Sequence, residues 1–138
     1  MEREQKNLQE IINYRLDKLA KIIQAGYNPY AYNFEKTHDI KTIIDKGEKC
    51  VGEKFKTAGR MVSFRKMGKA SFTHIQDDTG KIQVYLKNDL LPDSVYDNIV
   101  RNLDLGDIIA CTGKLFMTKM GELSIEADNV IILSKNIR

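Results

Sequence analysis

The chain has 138 residues, 42% hydrophobic and 30% charged, with a net charge of +3. That length and balance suit one globular domain with a single core and an appended helix, and they give no reason to expect disorder. The longest apolar runs, Ile108 to Cys111 and Val130 to Leu133, are far too short for a membrane span. The segment Met1-Glu2-Arg3-Glu4-Gln5-Lys6 has no apolar stretch of the kind a secretory signal needs, so a cytoplasmic protein is expected. Cys50 and Cys111 belong to no CxxC or Cys/His cluster, which predicts two free thiols and no metal site.

Leu8, Ile11, Ile12, Leu16, Leu19, Ile22 and Ile23 recur at three- and four-residue spacing and predict an amphipathic helix over residues 3–25. Gly26 is placed to end it. A tyrosine-rich arm follows, Tyr27-Asn28-Pro29-Tyr30-Ala31-Tyr32, in which Pro29 disfavours helix at Asn28. Thr37 or Asp39 is placed to cap a short helix with Ile40, Ile43 and Ile44 on one face, ended by Gly47. From Phe55 the apolar period changes to two. A first strand is predicted over 54–66, with Gly59 marking a bulge or bend. A second runs over 69–77 and turns through Asp78-Thr79-Gly80 into a third over 81–87. In the third, Ile82, Val84 and Leu86 alternate with Lys81, Gln83, Tyr85 and Lys87, the pattern of a half-buried strand. Pro92 then opens a predicted helix carrying Val95, Ile99, Val100 and Leu103. A fourth strand covers 108–118, and Lys119-Met120-Gly121 turns it into a fifth over 122–133.

Five strands with a helix between the third and fourth make a mainly β fold, the Greek-key barrel of an OB-fold, preceded here by the amphipathic helix. Residues 1–50 are assigned to the helix, arm and short helix, and residues 51–138 to the barrel. Such barrels bind oligonucleotides on the outer face of the second and third strands. Between Lys56 and Lys87 seven cations face two aspartates, Asp77 and Asp78, a larger excess than that of the whole chain. A solvated hairpin accounts for that charge as well as an RNA surface does.

Arg65-Lys66-Met67-Gly68-Lys69-Ala70-Ser71-Phe72 places cations, a glycine turn and an aromatic ring on one short stretch, with Gln83 on the next strand. An unpaired base needs a stacking surface, hydrogen-bonding groups and positive field. One strand phase puts Phe72, His74 and Gln76 outward beside Gln83 and Tyr85. The other buries Phe72 and leaves Ser71 and Thr73 in water, and polarity admits both. In the outward phase Gln83 is placed to accept the N–H of a uracil and donate to one of its carbonyls, while Arg65 donates to another. Gln83 is equally in keeping with an ordinary polar residue on a wet face. Glu122, opening the fifth strand, is placed to accept from a flanking base. Lys6, Arg15, Lys18 and Lys21 give the first helix a charged face, either solvated or set against RNA backbone. His38 and His74 stand in no nucleophile or metal pattern, and the chain has neither GxxxxGK nor GxGxxG, so no catalytic residue is nominated.

The same octapeptide resembles the anticodon-binding domain of class II lysyl-tRNA synthetases. The likeness continues through Gln76-Asp77, Gly80-Lys81-Ile82-Gln83-Val84-Tyr85, Leu105-Gly106-Asp107-Ile108, Gly113-Lys114-Leu115-Phe116, Thr118-Lys119-Met120-Gly121-Glu122-Leu123-Ser124-Ile125 and Leu133-Ser134-Lys135. Arg15-Leu16-Asp17-Lys18-Leu19 and Gly26-Tyr27-Asn28-Pro29-Tyr30 are similar to the family's leading helix and arm. The resemblance implies that Phe72 stacks on the central uridine of the lysine anticodon, that Arg65 and Gln83 hydrogen-bond it, and that Glu122 lies near the flanking bases. Lys66, Lys69, His74, Tyr85 and Lys119 are added as candidate RNA contacts. The family's usual Lys-Thr-Gly-Glu turn reads Lys119-Met120-Gly121-Glu122 here, which removes a hydroxyl from that loop.

The implied partner is lysine tRNA, through its anticodon stem-loop, with no membrane. The implied parent is an ATP- and Mg2+-dependent lysine–tRNA ligase of a usually dimeric family. Neither the arginine-bearing ATP motif nor the glycine-rich third motif occurs in the chain, so no cofactor is expected to bind it. The segment is expected to bind tRNA without aminoacylating it. A free-standing single-strand binder, or the barrel of a related aspartyl or asparaginyl enzyme, is the alternative.

Overall fold

A computed structural model describes residues 2–25 and 38–136, with the side chains of the first helix from Leu8 onward. The expected end of that helix at Gly26, the tyrosine-rich arm and a cap from Thr37 lie outside the described residues. The chain forms α1 (Glu2–Gln24), α2 (Ile40–Lys46), a 3-10 turn (Gly47–Cys50), β1 (Lys54–Met67), β2 (Ala70–Gln76) and β3 (Lys81–Lys87). After a 3-10 turn (Asn88–Leu90) come α3 (Val95–Asn98), a further 3-10 turn (Val100–Asn102), β4 (Ile108–Met117) and β5 (Leu123–Ser134). The strands close into a barrel in the order β1-β2-β3-β5-β4. Five strands closed with a helix between the third and fourth is the architecture expected from the period-two pattern. No described helix is long and apolar enough to cross a membrane.

Closure rests on the long first strand. β1 pairs with β4 through Lys54 to Arg60 and with β2 through Arg60 to Met67, so it serves both sides of the barrel. The expected irregularity falls between Met61 and Ser63 rather than at Gly59. Gly59 has a different reason to be glycine: a Cβ there would sit 2.9 Å from the backbone N and O of Gln76, closer than real side chains approach. The remaining seam is the short parallel pairing of β3 with β5, Gln83 to Ser124, Val84 to Ile125 and Tyr85 to Glu126.

The core is built by the inward row of each strand. Ile75, Ile82, Val84, Leu86, Ile109, Leu115 and Ile125 are fully or almost fully buried. Cys111 joins them, and burial pushes its thiol up to about 12, which leaves it protonated and unreactive. α2 covers one end of the barrel with Ile40 and Ile43. Asp39 occupies the cap position but its carboxylate does not cap. The free N–H groups of Ile40 and Lys41 are met instead from the β2–β3 turn, by Asp77 Oδ2 at 3.1 Å and Thr79 Oγ1 at 3.1 Å.

The helix expected from Pro92 is shorter than its apolar spacing implied. Ser94 adopts a left-handed conformation, φ 69°, so Pro92 belongs to a preceding turn, in which the Val95 N–H donates to the Pro92 carbonyl. One helical turn and one 3-10 turn then bury Val95, Tyr96, Ile99, Val100 and Leu103 over the barrel's other end.

α1 packs near that end through Leu19 and Ile22 and leaves Leu8, Ile11, Leu16 and Ile23 exposed. It is tied down by charge. Lys18 Nζ lies 2.8 Å from Asp104, whose other oxygen is 2.8 Å from Lys135, and Lys135 also pairs with Asp107 at 2.7 Å. Lys18 is therefore a buried structural cation rather than an RNA-facing one. Burial acts to lower the Lys18 pKa, but Asp104 and Tyr14 together outweigh it and the pKa is raised. Burial acts to raise Asp104, but hydrogen bonds from Lys135 and Lys18 outweigh it and its pKa is lowered. Asp77 behaves alike. Burial raises it, while the Thr79 hydroxyl and the N–H groups of Ile40, Thr79 and Gly80 together lower it further.

Both carboxyls ionise more readily in the folded than in the unfolded chain, so the folded state binds fewer protons in the acid range. Their stabilisation is fully present above about pH 4 and is lost as pH falls through their folded values. The urea midpoint is expected to fall steeply below about pH 4, and Asp104→Asn should flatten part of that slope. A midpoint insensitive to acid would contradict this assignment.

Candidate nucleic-acid interface

The outward row of β2 is Phe72, His74 and Gln76, and Ser71, Thr73 and Ile75 are buried. The inward polar residues are accommodated because each finds a partner. Ser71 Oγ lies 2.7 Å from Tyr96 Oη, which donates to the Gly68 carbonyl, and Thr73 Oγ1 donates to the Ser63 carbonyl at 2.7 Å. With two hydroxyls satisfied inside, the aromatic ring is free to face out.

Phe72 pairs across the β2–β3 ladder with Tyr85 and His74 pairs with Gln83. The rings of Phe72 and Tyr85 stack at 4.6 Å with a 19° interplanar angle. Phe116 stands 6.3 Å beyond Tyr85. Stacking on Tyr85 holds the half-buried Phe72 ring in a fixed plane beside an open groove of about 540 Å³. Ser63, Phe64, Arg65, Phe72, His74, Gln83, Thr118, Met120 and Glu122 line that groove.

Arg65 is exposed and is the cross-strand neighbour of Phe72. Gln83 Oε1 accepts from Ser124 Oγ at 2.9 Å, which leaves the Nε2 donors for a ligand. His74 bridges two segments: Nδ1 is 2.7 Å from Ser63 Oγ and Nε2 is 2.6 Å from Glu122 Oε2. A carboxylate only accepts, so Nε2 carries the proton toward Glu122. Ser63 Oγ also accepts the His74 backbone N–H at 3.0 Å. Engaged twice by one residue, the hydroxyl anchors the imidazole and is not presented as a nucleophile. The β4–β5 turn is shaped by Thr118. Its N–H donates to the Glu122 carbonyl, its Oγ1 accepts the Glu122 N–H at 3.0 Å, and Gly121 takes φ 84°. Met120, where the resemblance leads one to expect threonine, is 94% exposed at the rim.

Five residues singled out from sequence, Arg65, Phe72, His74, Gln83 and Glu122, thus share one groove, and Tyr85 backs its stacking ring. Lys66, Lys69 and Lys119 do not line it. Lys66 turns toward the Arg101 carbonyl, with Nζ 5.2 Å from the Phe64 ring, and burial followed by the charge of Lys18 lowers its pKa. Sequence reasoning missed Ser63, Thr118 and Ser124. Ser63 was accessible to it by alternation, two residues before Arg65 on the same strand. Ser124 was not, because only the β3–β5 register brings it to Gln83.

Residues 55–133 match the family described as the OB-fold nucleic acid binding domain, under the heading of the tRNA anti-codon. The chain belongs to that family. The chain is also 42% identical over 135 residues to the lysine–tRNA ligase of Carboxydothermus hydrogenoformans, a match covering 98% of this chain and 28% of that protein. The lysine–tRNA ligase of Pelotomaculum thermopropionicum is 42% identical over 135 residues, 97% of this chain and 26% of the relative. That of Bacillus subtilis is 36% identical over 148 residues, all of this chain and 30% of the relative. The chain therefore spans less than a third of the length of these curated relatives.

An aromatic platform, donors from Arg65 and Gln83 and an acceptor from Glu122 are what an unpaired base requires of this OB-fold surface. Phe72→Ala is expected to weaken binding of a short oligouridine by about 1–3 kcal/mol in fluorescence anisotropy, measured well below the variant's thermal midpoint, which falls with loss of the Tyr85 stack. An unchanged affinity would contradict the stacking role.

Proposed function

We propose that this barrel reads the lysine anticodon for a lysine–tRNA ligase, with the central uridine in the groove. The observation that carries the reading is the Phe72–Tyr85 stack flanked by Arg65 and Gln83 on one open face. Phe72 stacks on the uracil. Arg65 and the Gln83 amide N–H groups donate to its two carbonyl oxygens. Ser124 takes one of the two lone pairs of the Gln83 carbonyl oxygen and draws that end toward β5, so the reading leans on the Gln83 N–H groups more than on its oxygen. Glu122 keeps accepting capacity beyond its bond to His74, and it takes an N–H of the central or a flanking base. Tyr85 extends the stack. Lys69 and Lys119, exposed near the groove, act on phosphates through their charge.

On this reading residues 51–138 are the reading module and residues 1–50 its leading segment, in a cytoplasmic enzyme that works as a dimer. ATP and Mg2+ serve the aminoacylation step elsewhere in such an enzyme. The described residues do not fit them. Asp104 and Asp107, neighbouring carboxylates among the described residues, are already neutralised by Lys18 and Lys135. No group of three or more His, Cys, Asp or Glu side chains suited to a metal occurs among the described residues.

An anticodon stem-loop with uridine at its centre is expected to bind more tightly than one with adenosine there. Affinity should fall log-linearly as salt rises, in proportion to the phosphates contacted. Equal binding of the two stem-loops would point to a single-strand binder without sequence preference.

A further inference from the structure

We infer that Ser124 sets the base preference of the groove by fixing which end of the Gln83 amide faces a ligand. The inference rests on the reading above, in which Gln83 meets the edge of an unpaired base. Ser124 is fully buried on β5 and stands opposite Gln83 in the parallel β3–β5 register. A glutamine amide has an acceptor at one end and two donors at the other, with nearly the same shape. Its orientation is decided by the bonds each end makes.

Ser124 Oγ donates to Gln83 Oε1 at 2.9 Å. If the amide reversed, the Ser124 proton would be left with the Glu122 carbonyl at 3.4 Å, at the limit of a hydrogen bond. A buried hydroxyl proton without a good acceptor is the state folded proteins avoid. The hydroxyl therefore keeps Oε1 toward β5 and presents Nε2 to the groove. Beside it stands Arg65, which can only donate. Two donor groups suit uracil, whose O2 and O4 both accept. They oppose cytosine, whose N4 amine would meet an N–H. Without Ser124 the amide can turn, offer Oε1 to that amine, and admit cytosine. Ser124 touches no base in this scheme. It is a positioning residue acting through Gln83.

The test measures affinities of the full chain for two labelled anticodon stem-loops that differ only in uridine or cytidine at the central position. The wild type is expected to favour uridine by about tenfold or more. In Ser124→Ala the ratio should fall to within about threefold, mainly through tighter cytidine binding, with the thermal midpoint retained. A wild type without preference overturns the reading of the groove itself. A wild type that prefers uridine, with an S124A variant that keeps the full ratio, overturns the role of Ser124 alone. Equal weakening of both stem-loops in S124A also overturns it, because a merely structural serine gives that result. Gln83→Glu supplies a second check. Ser124 still binds one oxygen, the other now accepts, and the preference should reverse toward cytidine. Retained uridine preference in Q83E contradicts an outward-facing donor at this position.

Discussion

Three parallel residue pairs between β3 and β5 close the barrel, and the groove depends on that seam. β2 and β3 are neighbours in sequence, so a hairpin alone would place Phe72 beside Tyr85 and His74 beside Gln83. A hairpin alone could not bring Glu122, Thr118 and Ser124 to the same face. The parallel seam does so. It sets Ser124 against Gln83 and carries the β4–β5 turn over the outward row of β2, where His74 reaches Glu122. Parallel pairing needs a long crossover. Here that crossover holds α3 and β4, which also cap the core and complete the sheet.

The ends of the barrel are held by buried polar groups as well as by apolar packing. Asp77 orders its own turn and caps α2 at a distance, so the loop beyond the reading face is tied to the segment that precedes the barrel. At the other end Asp104 and Asp107 gather Lys18 of α1 and Lys135 after β5. Such pairs add little net stability over apolar substitutes, yet removing one partner costs about 3–5 kcal/mol because a bare charge is left behind. Their effect is to specify where α1 and the chain after β5 lie. A further consequence concerns the positive field. Lys18 is consumed inside, so the charged face expected of α1 offers less to an RNA backbone than the sequence suggests.

The sheet was legible because β3 alternates cleanly and the turns carry glycine. The face of β2 was not legible from polarity. Ser71 and Thr73 are polar yet buried, and the reason, hydroxyl bonds to Tyr96 and to the Ser63 carbonyl, lies in residues distant along the chain. Resemblance resolved what periodicity left open. Pro92 misled because its φ suits a helix start, while the left-handed Ser94 two residues later delays the helix. Gly59 was singled out for a bulge but serves a close backbone approach. Gln83 was singled out as a candidate base contact, while its bond from Ser124 Oγ, a contact set by register, was not foreseen. The pattern is physical: period and turn chemistry are local, whereas satisfaction of buried polar atoms is decided across the barrel.

The central claim is that an unpaired base lies on Phe72 between Arg65 and Gln83. The most direct measurement is a titration of isotopically labelled chain with a uridine-centred anticodon stem-loop, followed by NMR. The account predicts the largest shifts at the Gln83 side-chain amide, the Arg65 guanidinium, the Phe72 and Tyr85 rings, and the His74–Glu122 pair. Shifts confined to α1, or to the opposite face around Lys56, Thr112 and Asn129, with the Gln83 amide unmoved, would contradict it.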